Sequence, residues 1–338
     1  MRYLSIFLLL LISCSDPSRF KIDLEYINTI MPSDIYNVEG DYAMKRNQFI
    51  YHINASKTSI FVYNRNYTPI DTLFRKGQGP GEIKGKISQL LVKNDTVFAY
   101  DRTSNEVHVY EDDKITSYKI ECEEDISSMY LYKNDFLMLT YKFIDDKTIQ
   151  WSGILFDNRF NKKEKIFAYL DPFDTKRFNP KIIVANENII YVGNQNNFNT
   201  VDIDCYVDEK FAYKIKRNFI KRIPSKELKE SWNKLADLQP PKQKKLALMV
   251  LENSYQKPYE NLVISNRYLW LMKQPIPEFE FEANFIVYKD STNYTTYTYQ
   301  YSDSTLFHNF EICSDTLKVK KYDCNRLISI DNFKINFF

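Results

Sequence analysis

Arg75-Lys76-Gly77-Gln78-Gly79-Pro80-Gly81-Glu82-Ile83 concentrates glycine in a chain that has very little of it. With Gly85, this stretch holds four of the seven glycines among 338 residues. Glycine reaches positive φ without a Cβ penalty, so such a cluster marks backbone geometry that other residues adopt only at a cost. A phosphate cradle is the first chemistry to test against the spacing, and it fails. Gly77, Gly79 and Gly81 read G-x-G-x-G, and Pro80 withdraws one of the N–H groups that a cradle aims at phosphate. Ile87 stands where a P-loop needs Ser or Thr after Gly85-Lys86. No helical pattern follows, so no helix N-terminus is on offer to an anion. The run reads instead as a connector in which Gly77, Gly79 and Gly81 turn the chain, Pro80 fixes its path and Glu82 caps exposed N–H groups.

What it connects is seen by looking outward for repeats. A shift of 47 residues lays Asn47 on Asn94 and Ile50 on Val97, and the same shift lays Ile60-Phe61-Val62-Tyr63 on Val107-His108-Val109-Tyr110. Each unit is a polar turn, a strand, a second polar turn and a second strand, the pattern of a hairpin. The same phrase returns at Asn134-Asp135-Phe136, Asn186-Glu187-Asn188 and Asn266-Arg267-Tyr268. A sixth copy begins at Ser314-Asp315-Thr316-Leu317 or at Asn325-Arg326-Leu327-Ile328. The glycine run falls at the end of the first unit.

Spacings between the first five Asn positions are 47, 40, 52 and 80 residues, and the long one holds the one convincing helical stretch. Pro224-Ser225 offers an N-cap, Leu228, Trp232 and Leu235 recur at helical spacing, and Pro240-Pro241 ends the run. A second short helix is expected from about Lys242 to Ser254. With this insertion, about 225–256, set aside, six units of four strands each have the size of β-propeller blades. A four-stranded sheet cannot bury both faces alone, and stacking blades around an axis solves that problem. Closure commonly pairs the first and last strands of the chain, and Phe20–Ile30 and Asn332–Phe338 both read as strands. Lys21–Asn28 is therefore expected to complete the last blade. A two-domain sandwich with a helical linker is the competing architecture.

Composition agrees with an all-β chain. Aromatic residues make up 16%, with 26 Tyr and 24 Phe, and such side chains suit pleated, half-buried surfaces. A net charge of +2 from 46 basic and 44 acidic residues gives no reason to expect nucleic acid.

Residues 1–13 read as an address. Arg2 supplies the positive start, Leu4–Ile12 is apolar apart from Ser5, and Ser13-Cys14 ends the run. The apolar core is shorter than the roughly 20 residues needed to cross a bilayer. The stretch resembles the lipobox of bacterial lipoproteins, which implies cleavage before Cys14, acylation of Cys14 and a tether over residues 14–19. The expected location is the bacterial cell envelope, with the outer membrane favoured and the face unassigned.

Taken together, the connector after the first unit, the lipobox and the late helical insertion resemble the six-bladed β-propeller lipoproteins of the Bacteroidetes, described as TolB-like or NHL-like. In that family a G-x-G-P-G-E phrase joins the first two blades. The resemblance implies a propeller over residues 20–338 and export, and leaves the biochemical role undefined.

Candidate chemistry is sparse. His52, His108 and His308 are isolated and lie in or beside expected strands, without ligand spacing. Asp112-Asp113, Glu123-Glu124-Asp125 and Asp145-Asp146 fall between strand patterns and read as turns in preference to paired catalytic carboxylates. No G-x-S-x-G is present. Asn293–Tyr301, alternating Thr and Tyr, reads as an edge strand before it reads as a stacking surface for sugars. Cys122, Cys205, Cys313 and Cys324 lack zinc or redox spacing and are expected to be free thiols, with Cys313 and Cys324 the one nearby pair. Lys226, Lys229, Lys234, Lys242, Lys244 and Lys245 in the insertion read as the solvent side of a helix pair over one propeller face; an anionic surface or acidic partner is the other reading.

The function expected from sequence is a lipid-anchored binding or scaffold protein without cofactor. Its partners are the membrane, through the lipid, and an unidentified protein or glycan at the channel mouth. The alternative is a metal-dependent hydrolase or lyase with its site on the axis.

Overall fold

A computed structural model describes residues 22–30, 43–46, 49–54, 56–64, 68–79, 81–173, 181–194, 200–218, 226–237, 240, 243–245, 248, 261–265, 268–273, 282–300, 307–313, 315–323 and 326–337. Among the described residues twenty-four strands form six four-stranded antiparallel sheets arranged as a six-bladed β-propeller. Strands within each blade are called A to D from the axis outward.

Blade 1 comprises β2 (Ala43–Arg46), β3 (Phe49–Ile53), β4 (Ile60–Asn64) and β5 (Pro69–Leu73). Blade 2 comprises β6 (Ile87–Lys93), β7 (Thr96–Asp101), β8 (Glu106–Glu111) and β9 (Lys114–Lys119). Blade 3 follows with β10 (Asp125–Tyr132), β11 (Asp135–Asp145), β12 (Thr148–Phe156) and β13 (Lys162–Pro172). Blade 4 has β14 (Ile182–Ala185), β15 (Ile189–Gly193), β16 (Thr200–Val207) and β17 (Lys210–Asn218). Blade 5 has β18 (Asn261–Ser265), β19 (Tyr268–Lys273), β20 (Glu282–Tyr288) and β21 (Tyr294–Gln300). Blade 6 has β22 (Phe307–Cys313), β23 (Thr316–Asp323) and β24 (Arg326–Phe337), and takes its outermost strand, β1 (Ile22–Ile30), from the other end of the chain.

That exchange closes the ring as expected. β1 pairs with β24 from Ile22 opposite Phe337 to Ile30 opposite Ile330, with a bulge at Tyr26/Asn28. The sixth repeat starts at the first of its two candidate positions, since Asp315 precedes β23 while Arg326 opens β24. Inner strands β2, β6, β10, β14, β18 and β22 touch in that order around the axis. All D-to-A connections and B–C hairpins therefore open on one face of the disc, and all A–B and C–D hairpins on the other.

Each hydrophobic core lies between two blades, because a strand's alternating side chains serve opposite faces of its sheet. Tyr51, Ile60 and Val62 of blade 1 meet Ile87, Val92 and Val97 of blade 2. Phe98 of blade 2 meets Phe136 of blade 3 with ring centroids 4.9 Å apart. Trp151 and Phe167 continue the pattern toward Ile183 and Tyr206, and Trp270 and Phe285 toward Phe310. Near the axis, Gln89 on β6 uses its side-chain amide as a backbone mimic. Its Oε1 accepts from the Met129 N–H at 2.6 Å and its Nε2 donates to the Met129 carbonyl, joining blade 2 to blade 3. Two C–D turns, Asp112-Asp113 and Asp208-Glu209, have both residues at positive φ (48° and 59°, 47° and 63°). That geometry matches the right-handed twist of a two-residue hairpin.

Helix α1 (Lys226–Asp237) lies in the connection between β17 and β18. Trp232 and Ala236, one turn apart, are buried, while Lys226, Lys229 and Lys234 are exposed. Residues 243–245 and 248 are also helical; the rest of the second expected helix, Leu228 and Leu235 as packing residues, and Lys242 lie outside what is described.

Candidate functional site

The glycine run is the D-to-A connection from β5 to β6. Phe74 at its start and Ile83 at its end are both buried in the core between blades 1 and 2, 3% and 0% exposed. Phe74 has φ 60°, an uncommon state for a bulky residue, which turns its ring inward toward His108. Between these anchors the loop folds on itself. The Gly77 N–H donates to the Ile83 carbonyl at 3.1 Å, and the Ile83 N–H to the Arg75 carbonyl at 2.8 Å. Glu82 Oε2 accepts from the Gly79 N–H at 2.7 Å. Gly81 has φ 76°, and a Cβ there would stand 2.9 Å from Ile115 Cγ2. Pro80 lies outside the described residues, as do Cys14, the leader over 1–13 and the tether over 14–19.

Polar groups brought to the same face are spent on holding its loops. Asp101 accepts from the Gly85 N–H at 2.8 Å and the Thr103 N–H at 2.9 Å, tying the connector to the B–C turn of blade 2. Glu124 receives hydrogen bonds from Thr140 and from Lys165 at 2.9 Å. Burial alone would raise its carboxyl, but bonds from Thr140, Lys165 and Ser152 outweigh that and hold it below the usual range. Asp171, at the end of β13, pairs with Lys181 at 2.8 Å, both side chains being almost fully buried. The Lys181 ammonium also lies 5.0 Å over the Tyr169 ring. Tyr169 donates to Asp204 at 2.8 Å, so Tyr206, 2.6 Å away, is the donor to Tyr169. Burial, then these partners, push the Tyr169 hydroxyl far up. Lys214 completes the group at 3.1 Å from both Asp202 and Asp204.

The histidines stay apart. His108 is buried, with Nδ1 2.8 Å from Ser117 Oγ, and burial pushes its pKa down. His52 is buried on β3, and His308 is on β22 with its side chain outside the described residues. Among the described residues no three His, Cys, Asp or Glu side chains group as a metal site. Cys122 is a half-buried free thiol and Cys205 a buried one, both raised by burial. The side chain of Cys313 and all of Cys324 lie outside the description. Asp112-Asp113 and Asp145-Asp146 occupy hairpin turns, and Asp113 accepts from the Tyr110 hydroxyl at 2.7 Å. β21 is the outermost strand of blade 5, and its Tyr297 and Tyr299 pack on Phe285, Phe310 and Phe333. Those rings are committed to the core between blades 5 and 6.

Blade 3 carries the feature that sequence reasoning passed over. β11 and β13 are each 11 residues long, and the ends of β11, β12 and β13 on the D-to-A face are here called the finger. Phe143 and Ile144 at its tip are 53% and 50% exposed, and Leu170 is 66% exposed. The register sets Phe143, with Phe173 at a ring distance of 4.8 Å, on the side of Ile149 and Asp171, and Leu170 on the other side with Gln150 and Lys142, while Ile144 is the unpaired residue of a bulge. Arg102 of blade 2 reaches the finger's base, donating to the Tyr141 hydroxyl at 2.7 Å. The signal in the sequence was Phe143-Ile144 directly before the acidic turn Asp145-Asp146, too short a phrase to reveal that these side chains stay exposed. The finger and the connection carrying α1 open on the same face.

No protein-family model matches the chain, and no curated protein matches its sequence. Solved structures do. A member of the DUF4221 family from Bacteroides vulgatus ATCC 8482 is similar over 94% of this chain and 99% of its own, with a TM-score of 0.55 and 11% identity. A Bacteroides fragilis NCTC 9343 protein described as exported matches over 96% of both chains, with a TM-score of 0.48 and 14% identity. At such identity the likeness speaks for the propeller fold alone.

Proposed function

We propose that this chain is an exported lipoprotein of the TolB-like or NHL-like propeller type, anchored by acylated Cys14, that binds a partner on the face carrying the D-to-A connections. The observation that carries the reading is the exposed apolar finger of blade 3, Phe143, Ile144 and Leu170, set on the same face as the lysine-bearing insertion. Isolated exposed apolar residues are ordinary, but three gathered at the ends of β11 and β13 on one face of a blade form a contact surface. The charged groups beside it, Asp101, Glu124, Asp171 and Lys181, have positioning partners within the fold, which suits a rigid binding platform. The leader pattern over residues 1–13, ending at Ser13-Cys14, supports export. The cell envelope is the assigned location, with the outer membrane the favoured site.

Metabolic labelling with a palmitate analogue and membrane fractionation test the anchor. Wild-type protein should carry the label and sediment with membranes, and Cys14→Ser should lose both. Elemental analysis of the purified protein tests the binding role: stoichiometric calcium or zinc would replace it with a metal-dependent hydrolase or lyase.

A further inference from the structure

We infer that Arg217, at the seam between blades 4 and 5, receives the carboxylate of an acidic ligand, with the Tyr288 hydroxyl beside it as a second contact. The inference is independent of the lipid anchor and of the blade 3 surface.

Alternation along β17 brings the guanidinium there. Tyr213, Ile215 and Arg217 face blade 5, where Ile215 is buried in the shared core, while Lys214 turns the other way to Asp202 and Asp204. On blade 5, Tyr288 ends β20 and Tyr294 opens β21, and the two stand directly opposite with ring centroids 5.5 Å apart. The central carbon of the Arg217 guanidinium lies 4.0 Å from the centre of the Tyr294 ring. Such stacking stabilises the positive charge through the flat face of the group, and it leaves the N–H bonds, which lie in the plane, to find acceptors elsewhere.

Lys165, Lys181, Lys214 and Lys321 each hold a carboxylate within 3.1 Å. Arg217 holds none among the described residues: its Nη1 is enclosed without an acceptor, and the Tyr288 hydroxyl, on a residue 2% exposed, is enclosed and unpaired as well. Burial raises the Tyr288 pKa and the Arg217 charge pulls it part of the way back, so the two groups are neighbours although they do not meet in hydrogen-bond geometry. Asp290, the acid next in the chain, is spent on its own turn. It accepts from the Thr292 and Asn293 N–H groups at 2.9 and 2.8 Å and from the Asn293 side chain at 2.7 Å. Enclosed donors without acceptors are uncommon, because each gives up water with nothing in exchange. A carboxylate supplies the acceptor: its two oxygens match the guanidinium fork, and the ring under the fork fixes the plane of approach. The Arg217 side chain as a whole is only partly buried, so that approach is from the rim. One guanidinium balances one negative charge, which suits a carboxylate better than a phosphate monoester carrying about −1.5 to −2 at neutral pH.

Titration calorimetry of the full-length protein with glucuronate, with N-acetylaspartate amide and with inorganic phosphate tests the assignment. Saturable binding of at least one carboxylate probe, tighter than that of phosphate, is expected. Arg217→Lys keeps the charge and loses the fork, and should weaken that binding about tenfold or more. Tyr288→Phe keeps the ring and removes only the hydroxyl. It should weaken binding about threefold, and it carries the test should thermal unfolding show that Arg217→Lys does not fold. Whichever carboxylate binds more tightly tells a sugar acid from a peptide acid, and either result supports the inference. No saturable binding of either carboxylate, phosphate bound more tightly than both, or an affinity unchanged in a folded variant overturns it.

Discussion

Glu82 Oε2 bonds to the Gly79 N–H at 2.7 Å while occupying the space that a side chain on residue 77 would need: a Cβ there would lie 1.8 Å from that oxygen. The two glycines are thus required for one reason, the return of a carboxylate over its own loop. Gly77→Ala should push Glu82 out and cost its hydrogen bond, about 1–2 kcal/mol. In a Glu82→Ala background the same change should cost much less, because the clash is with the end of a flexible side chain. A double-mutant cycle in urea measures the coupling, and additive costs would refute the relationship. Gly81→Ala should cost about 1–2 kcal/mol in either background, since its positive φ is independent of Glu82.

Lys181 and Asp171 are a buried pair bridging blades 3 and 4, with side chains 2% and 10% exposed. Removing one member leaves a charge without its counter-ion. Asp171→Ala or Lys181→Ala alone should each lose about 3–5 kcal/mol. The double change Asp171→Leu with Lys181→Met should recover most of that loss. Thermal unfolding of the three variants checks the order; a double variant as unstable as the worse single one would show that the pair does more than neutralise itself.

The ring, its closure and the blade 1 to blade 2 connector were legible because each depends on local chemistry that repeats. Asn94 and Asn134 lie in A–B turns, with Asn94 at φ 52°, and Asn186 caps the next such turn, so the Asn spacing tracks blade spacing. His108 aligned with Phe61 because both are on C strands, β8 and β4. The finger and the Lys181–Asp171 pair were not legible. Exposure of Leu170 depends on which part of β13 the adjoining blade covers, which no alternation pattern records. Lys181 stands in a connection that reads as solvated loop, and it is buried only because blades 3 and 4 close over it.

Closure through β1 predicts a sharp difference between two truncations. Deleting residues 1–21 keeps the strand, and the protein should unfold cooperatively like the intact chain. Deleting 1–30 strips β24 of its outer partner and removes the Asn332 to Asn28 bond at 2.8 Å and the Thr29 to Asp331 bond at 2.6 Å. It also uncovers the core that Ile22 and Leu24 help to close. That form should be insoluble or should melt without a cooperative transition; a soluble, cooperatively melting 31–338 fragment would rule out a structural need for β1.

His108 gives the fold a weakness in acid. Its folded pKa lies below the usual 6.5 because the ring is buried, an effect stronger than the pull of Glu106. Below pH 6.5 the unfolded chain takes up a proton that the folded chain refuses, so stability falls with pH until the folded pKa is passed. His108→Phe, which copies Phe61 at the same position of blade 1, should flatten the part of the slope between pH 7.5 and 5. Urea midpoints at those two pH values measure it, and an unchanged slope would assign the acid sensitivity elsewhere.

The opposite limit is set by tyrosine. Burial raises Tyr191 and Tyr299 to about 12 from an ordinary 10, and raises Tyr169 and Tyr213 as well. Below pH 10 both states keep these protons. Between pH 10 and 12 the unfolded chain loses them while the folded chain holds on, and the stability they contribute is lost over that window. Absorbance at about 295 nm should show exposed tyrosines ionising near 10, and the buried set following only as the far-ultraviolet dichroism collapses. Tyr169→Phe should lower stability at neutral pH, because Tyr206 and Asp204 lose their shared partner, and should lessen the alkaline loss. A smooth tyrosine titration completed while the sheet signal is intact would mean that these hydroxyls are not held in the cores between the blades.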